Sequence, residues 1–405
     1  MAMNLAFWLT RPNALRVLGP IMAEWTRRTG EPAFVMVPTA PLAPTKGKDR
    51  LLRFADHAGG LGTNWMSVRI ESPEAAVGTC QQFGIRVLVA LGLEPRPVPG
   101  GAQVMAATKA AGIRWAAAPC IHEELLYALE HGGGALVNWD MAATMSAGSR
   151  ALAAELADKA WGSTSADLIR QMVPTGFPEL DSLLGMDRKT SRFRLGLPQS
   201  KPIVLFNTAP RPHGLSRWEW IKWIRPGGPY MAIVNAARRF ADRHRALLVA
   251  KTRAKHPDYP WTMASFDYVI GDGTWYPYTT LDAVMAADHV CGVASALAVE
   301  ATAAWKPQTW FLGYAPERYE HPAFLPMRQA MYLSGGGLWN CGAFIRLIRC
   351  YGEEDWRDEL REWADDAPLH VNPLLCAGPE MWIGAWPRVN ASRRFLDAVM
   401  GLLCV

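Results

Sequence analysis

Ser295 and Glu300 lie just over one helical turn apart in the segment from Tyr276 to Leu312, YPYTTLDAVMAADHVCGVASALAVEATAAWKPQTWFL. The segment reads as a short helix, a buried strand, a small-residue turn holding Ser295, a helix carrying Glu300, and a strand after Lys306-Pro307. A strand that ends in Gly, Ala and Ser and opens a helix leaves backbone N–H groups free for a phosphate. Glu300 is then within reach of a sugar hydroxyl on the same bound nucleotide. Ser295 serves as a helix N-cap, as a phosphate ligand, or as both. Glu300 has an alternative as a surface helical residue. Its neighbours Ala298, Val299, Ala301 and Ala303 look buried, however, and a carboxylate in such a helix needs a partner. Thr279 and Thr280 read mainly as caps of the preceding helix, and Tyr276 as a packing residue before a base-stacking one.

These residues need strands to carry them to one edge, and the chain supplies two sets. At 405 residues it is too long for one ordinary core and predicts two domains. In the first half, strands are expected at Asn4–Leu9, Ala33–Val37, Arg86–Leu91, Gly112–Ala117 and Gly134–Asn138. Helices are expected at Ala14–Arg28 and near 73–83, 101–111, 122–131 and 146–157. Such alternation implies a parallel sheet covered on both faces. A loop rich in Gly, Pro, Asp, Ser and Arg from Pro174 to Ser200 breaks the pattern. A second set follows: strand Pro202–Asn207, helix Pro229–His244, strands Ala246–Lys251 and Asp267–Ile270, then the segment above. The boundary is placed near Pro198, giving domains 1–197 and 198–388, with a last helix (389–405) returning to the first. The fold class is thus α/β, two doubly wound Rossmann-like domains facing a cleft, with ligands bound outside the carboxyl ends of strands.

Composition excludes more than it selects. The formal net charge is +5, which suits anionic substrates without demanding a nucleic-acid partner. Seven scattered Cys without a CxxC pair read as reduced thiols rather than a disulfide framework or a zinc site. No signal peptide and no membrane-spanning run is found, so a cytoplasmic location is expected. The 18 Trp include Trp65, Trp115, Trp139, Trp161 and Trp275 near expected strand ends, where packing outweighs sugar stacking. Neither Gly59–Gly62 nor Gly132–Gly134 fits a phosphate-loop pattern, and no HExxH or GxSxG motif occurs.

Four stretches resemble a known group. Asp158-Lys159 with Trp161 and Ser163 looks like the strand closing the acceptor domain of GT-B glycosyltransferases. Gly176-Phe177-Pro178-Glu179-Leu180-Asp181 resembles the loop that follows it in UDP-N-acetylglucosamine 2-epimerases and CDP-glycerol glycerophosphotransferases. Leu195-Gly196-Leu197-Pro198 with Pro202–Phe206 looks like the start of their second domain. Ser295, Glu300 and Pro307 match the run that carries their donor nucleotide. No Trp-His-Gly-like acceptor signature is present, so transfer of polymer glycerophosphate is not implied.

The resemblance implies transfer of a sugar from a nucleoside diphosphate. Charge builds on the leaving diphosphate, and many such enzymes stabilise it with basic side chains and N–H groups, without a metal or other cofactor. Lys251, Arg253 and His256, after an expected strand, are candidates for that role, with a solvated basic loop as the alternative. Thr208 and Arg211 are further candidates, with a Pro-punctuated turn as the alternative. The general base is expected from the first domain: His122, beside Glu123, is the first choice, Asp56, beside His57, the second, and Asp140 a third. The expected partners are a nucleotide-sugar donor and a glycan, lipid-linked intermediate or modified nucleic-acid base as acceptor. A UDP-sugar epimerase or hydrolase of the same fold ranks second, and a GT-B relative without catalysis, acting as a scaffold, third.

Overall fold

The computed structural model describes residues 4–9, 14–38, 64–91, 101–119, 139–148, 150, 151, 154, 158, 170–208, 217–252, 260–271, 278–293, 295, 297–312, 345–350, 355–371 and 390–404. The chain divides into two compact units, one of Met1–Leu184 with Glu380–Val405 and one of Gly185–Pro379.

The first unit holds a seven-stranded sheet in the order β3-β2-β1-β4-β5-β6-β7. Its strands are β1 (Leu5–Trp8), β2 (Ala33–Pro38), β3 (Trp65–Ile70), β4 (Val87–Leu91), β5 (Arg114–Ala118), β6 (Met141–Thr144) and β7 (Met172–Pro174). All of its neighbouring pairs run parallel. The central strands are continuous apolar runs because both sheet faces are covered: every residue of β1 is buried, and all but the last of β4. Its helices include α1 (Leu15–Thr29), α2 (Pro73–Phe83), α3 (Gly101–Ala110) and, far later in the chain, a last helix, Ala391–Cys404. Helix α2 starts where Ser72 Oγ accepts from Ala75 N at 3.1 Å with Pro73 behind it, the expected chemistry of a helix start.

Several sequence expectations are corrected here. The expected strand at Gly134–Asn138 lies outside the described residues, and β6 starts at Met141. Asp158 is helical, and the strand that closes the sheet is β7 instead. The stretch read as a loop from Pro174 to Ser200 contains a 3-10 helix, Pro178–Leu183, and α4 (Arg188–Arg194), which Asp187 caps through Thr190 N. Its polar composition reflects caps and an exposed helix face rather than irregular chain. Trp115 and Trp139 are packing residues: Trp115 meets Trp8 and Trp139 edge-to-face at 5.9 and 6.0 Å, and its indole N–H donates to Thr108 Oγ1 at 2.8 Å.

The second unit holds a six-stranded sheet, β10-β9-β8-β11-β12-β13. The strands are β8 (Ile203–Asn207), β9 (Leu247–Lys251), β10 (Tyr268–Ile270), β11 (His289–Val293), β12 (Gln308–Leu312) and β13 (Ile345–Arg349). Here too every neighbouring pair is parallel. Helices α5 (Arg217–Ile224), α6 (Pro229–Arg243), α7 (Pro260–Met263), α8 (Tyr278–Ala286), α9 (Leu297–Ala303) and α10 (Trp356–Asp366) connect them, and Ala391–Cys404 becomes α11. One core lies between the sheet and the α6–α10 pair, where Trp363 stacks on Phe240 at 4.7 Å and meets Phe311 edge-on at 5.2 Å.

The amino ends of β8 and β11 are tied by buried charge. Arg192 on α4 donates to Ala286 O at 3.0 Å, to the carbonyls of Pro198, Gln199 and Lys201, and to Asp288 Oδ2 at 2.8 Å. The same Asp288 oxygen accepts from Ile203 N at 2.8 Å. Lys306 Nζ donates to Met285 O at 3.0 Å and Ala287 O at 2.8 Å, and burial pushes its ammonium down to about 8. Buried charges of this kind persist because each has a partner. Among the described residues no helix is long and apolar enough to cross a membrane.

Candidate functional site

In both sheets the first and fourth strands are neighbours, so the winding reverses between β1 and β4 and between β8 and β11. The crevice outside the carboxyl ends at such a reversal is where doubly wound sheets bind ligands. Four candidates among the described residues, Thr208, Lys251, Ser295 and Glu300, belong to the reversal of the second unit. Thr208 follows β8 directly, Lys251 ends β9, and Ser295 follows the end of β11. Asn207 sits in register with Lys251 on one side and Gly292 on the other. Arg211, Arg253, His256, Tyr276, His122 and Asp56 lie outside the described residues.

Each of the four has definite surroundings. Thr208 is fully buried and prolongs the β8–β9 ladder: its N–H donates to Lys251 O at 3.0 Å and its hydroxyl to the same oxygen at 3.2 Å. Lys251 is 3 % exposed, and its Nζ donates to Thr252 O at 2.9 Å. Ser295 acts as a cap, its Oγ accepting from Leu297 N at 3.1 Å and its carbonyl from Ala298 N at 3.1 Å. Glu300 is 2 % exposed in a helix whose seven residues are all buried. The small residues around it allow α9 to lie against the sheet, which encloses the carboxylate. Thr279 and Thr280 lie within the first turn of α8 rather than before it.

Two residues that the sequence reading passed over shape this edge. Gly292, inside β11, adopts φ +142°, and a Cβ placed there would fall 2.4 Å from Asn207 O and 2.8 Å from Asn207 N. Only a glycine permits that approach. An isolated Gly in a strand is the available sequence signal. Asn207 is 4 % exposed, and its Nδ2 makes a long hydrogen bond, 3.5 Å, to Val293 O. It therefore links the end of β8 to the residues that turn toward Ser295.

Asp140 stands at the edge opposite to the one expected for it. It precedes β6 and so stands at the amino end of the first sheet, where Oδ2 accepts from Trp115 N at 2.8 Å and Oδ1 pairs with Lys109 at 3.1 Å. The carboxyl-end placement assumed for it rested on the strand expected at Gly134–Asn138. Among the described residues no cluster of three or more His, Cys, Asp or Glu is arranged to hold a metal ion.

No family model matches the chain, and no curated protein matches it. Solved structures do. The S. aureus MnaA–UDP co-structure aligns with a TM-score of 0.61 and 12% identity over 99% of this chain and 97% of that one. UDP-GlcNAc 2-epimerase from Neisseria meningitidis bound to UDP-GlcNAc aligns with a TM-score of 0.58 and 11% identity over 98% and 99%. The wall teichoic acid polymerase TagF aligns with a TM-score of 0.56 and 9% identity over 98% and 88%. At these identities the likeness is one of fold: the chain has the GT-B fold, α/β with two Rossmann-like parallel sheets.

Proposed function

We propose that the chain is an enzyme acting on a nucleoside-diphosphate sugar, held at the carboxyl edge of β8, β9 and β11, and that it transfers the sugar to an acceptor hydroxyl. The observation that carries this reading is the convergence of Thr208, Lys251 and Ser295 on three adjacent strand ends at a winding reversal, with Glu300 on the helix that follows. In this reading Glu300 accepts from the ribose hydroxyls, and the turn at Ser295 presents N–H groups to the diphosphate. Lys251, with Arg211, Arg253 and His256, neutralises the leaving diphosphate in place of a metal. Thr208 and Asn207 fix the strand ends from which these groups project. His122 or Asp56 is assigned as the base that takes the acceptor proton.

A second reading, epimerisation of a UDP-sugar, is supported by the fold shared with UDP-GlcNAc 2-epimerases such as that from Neisseria meningitidis. The two separate by what they need: an epimerase converts a UDP-sugar without any acceptor, whereas a transferase releases UDP only as an acceptor or water is glycosylated. Thermal unfolding with UDP, CDP, GDP and ADP tests both, since a ligand at 100 times its dissociation constant adds about 2.7 kcal/mol. A rise in melting temperature with at least one of them is expected, and none with any would sink both readings. Binding without turnover of labelled UDP-sugars would leave a scaffold role. Glu300→Ala is expected to weaken nucleoside diphosphate binding about tenfold, in line with loss of a charge-assisted hydrogen bond, while pyrophosphate binds as before. Equal loss of both ligands would refute the ribose role.

A further inference from the structure

The amino edge of the second sheet carries two exposed aromatic side chains. Phe193 is 81% exposed and Trp305 is 41% exposed. They come from distant parts of the chain but flank one turn. Arg192, next to Phe193, donates to Ala286 O, and Lys306, next to Trp305, donates to the carbonyls of Met285 and Ala287 on either side. The backbone of Trp305 is held at φ 54°, a conformation that bulky residues seldom adopt. The buried Arg192 and the half-buried Lys306 thus anchor the chain beside the two rings.

The charge around the rings is one-sided. Arg188, Lys189, Arg194 and Lys201 are exposed at this edge. The carboxylates that share it are fewer: Asp187 caps α4, and the buried Asp282 and Asp288 pair with Arg194 at 3.5 Å and Arg188 at 2.9 Å, which leaves Lys189 and Lys201 as the cations in excess. Exposed rings with an excess of cations on one edge mark an interaction surface. Aromatic side chains beside Lys and Arg match the boundary between lipid headgroups and acyl chains, where amphipathic rings settle and anionic phosphates attract the cations. A single-stranded nucleic acid also uses rings and cations, but it needs a groove that follows its backbone. A ring four-fifths exposed projects from the surface rather than lining a groove.

We propose that this edge docks the protein on an anionic lipid bilayer, with Phe193 and Trp305 entering the headgroup layer and Lys189 and Lys201 meeting lipid phosphates. The carboxyl edge of the same sheet, with Thr208, Lys251 and Ser295, then points away from the bilayer and stays open to water. The surface is independent of what that edge binds.

Co-sedimentation of the full chain with phosphatidylcholine vesicles, with and without phosphatidylglycerol, tests the assignment. The chain is expected to pellet with the phosphatidylglycerol vesicles at low salt and to be released as salt rises. Phe193→Ser combined with Trp305→Ser is expected to lower the partition coefficient roughly tenfold with an unchanged melting temperature. Phe193→Ser alone, at the more exposed ring, is expected to act the same way with smaller amplitude, and Lys189→Glu to weaken only the phosphatidylglycerol-dependent part. Equal pelleting with both vesicle types, or wild-type pelleting of the Phe193→Ser chain, overturns the proposal. So does a set of variants that lose retention on a single-stranded oligonucleotide while binding vesicles normally.

Discussion

At Gly292 a single missing atom decides how near two strands come. An added Cβ would stand 2.4 Å from Asn207 O, and the backbone on both sides is locked in the ladder, so neither can give way cheaply. Gly292→Ala is expected to destabilise the chain by about 2 kcal/mol or more through overpacking and a φ unfavourable to alanine, read as a lower denaturant midpoint. If the edge holds a nucleotide, its affinity falls as well. At the other end of the same strand His289 is buried, its Nε2 3.1 Å from Thr309 Oγ1 and its ring 4.8 Å from Phe240. Burial holds its imidazole down to about 3, with His244 and His370 the nearby groups that also disfavour its charge. The unfolded chain therefore binds the extra proton first, so this residue's contribution to stability is complete above about pH 6.5 and drains away as pH falls toward 3. His289→Gln should flatten the acid limb of the stability–pH curve; an unchanged slope would refute the assignment. The cap at Ser295 and the burial of Glu300 were legible because small residues and a lone carboxylate in an apolar helix are unusual. The roles of Gly292 and Asn207 were not, since they depend on which strands become neighbours.

Elements were legible where the chain is continuously apolar and mostly illegible at sheet margins, where β10 alone was anticipated. β1, β4, β8, β9 and β11 are buried runs that sequence alone marks as strands. β3, β7 and β13 escaped because margins need less apolar surface: β3 is half exposed, β7 spans three residues ending in Pro174, and β13 interleaves Arg with Ile and Leu. The Gly176–Asp181 motif was legible as a resemblance, but its work was not. Asp181 accepts from Ala391 N at 2.9 Å, Ser392 N at 2.7 Å and Ser392 Oγ at 2.6 Å. It is thus an N-cap for α11 supplied from more than two hundred residues away. Gly176 adopts φ +97°, and a Cβ there would meet Ala391 Cβ at 2.7 Å. Asp181→Ala should cost about 1–2 kcal/mol, the usual value of a lost cap, with faster amide exchange along residues 391–404. Exchange unchanged there would remove the capping role.

For the molecule as a whole, two parallel sheets follow from strand–helix alternation, and the wide gaps in motif coverage of the first half left its chemistry unread. α11 rests against α1, β4 and β5 with Phe395, Leu396 and Val399 buried, and Arg28 pairs with Asp397 at 2.8 Å. Ending the chain at residue 389 is expected to lower protection of β1 and β4 in hydrogen exchange while β8 and β11 keep theirs. Equal loss in both sheets would show that α11 supports more than its own unit. The first unit is assembled from residues 1–184 and 380–405, whereas 185–379 form the second without interruption. Synthesis on a ribosome makes that asymmetry a schedule. At about 5–20 residues per second, the opening stretch of the first unit waits on the order of ten to forty seconds for the segment that closes it. The later-coded unit is able to finish first, and in that interval the bare faces of β4 and β5 are the surface most in need of a chaperone.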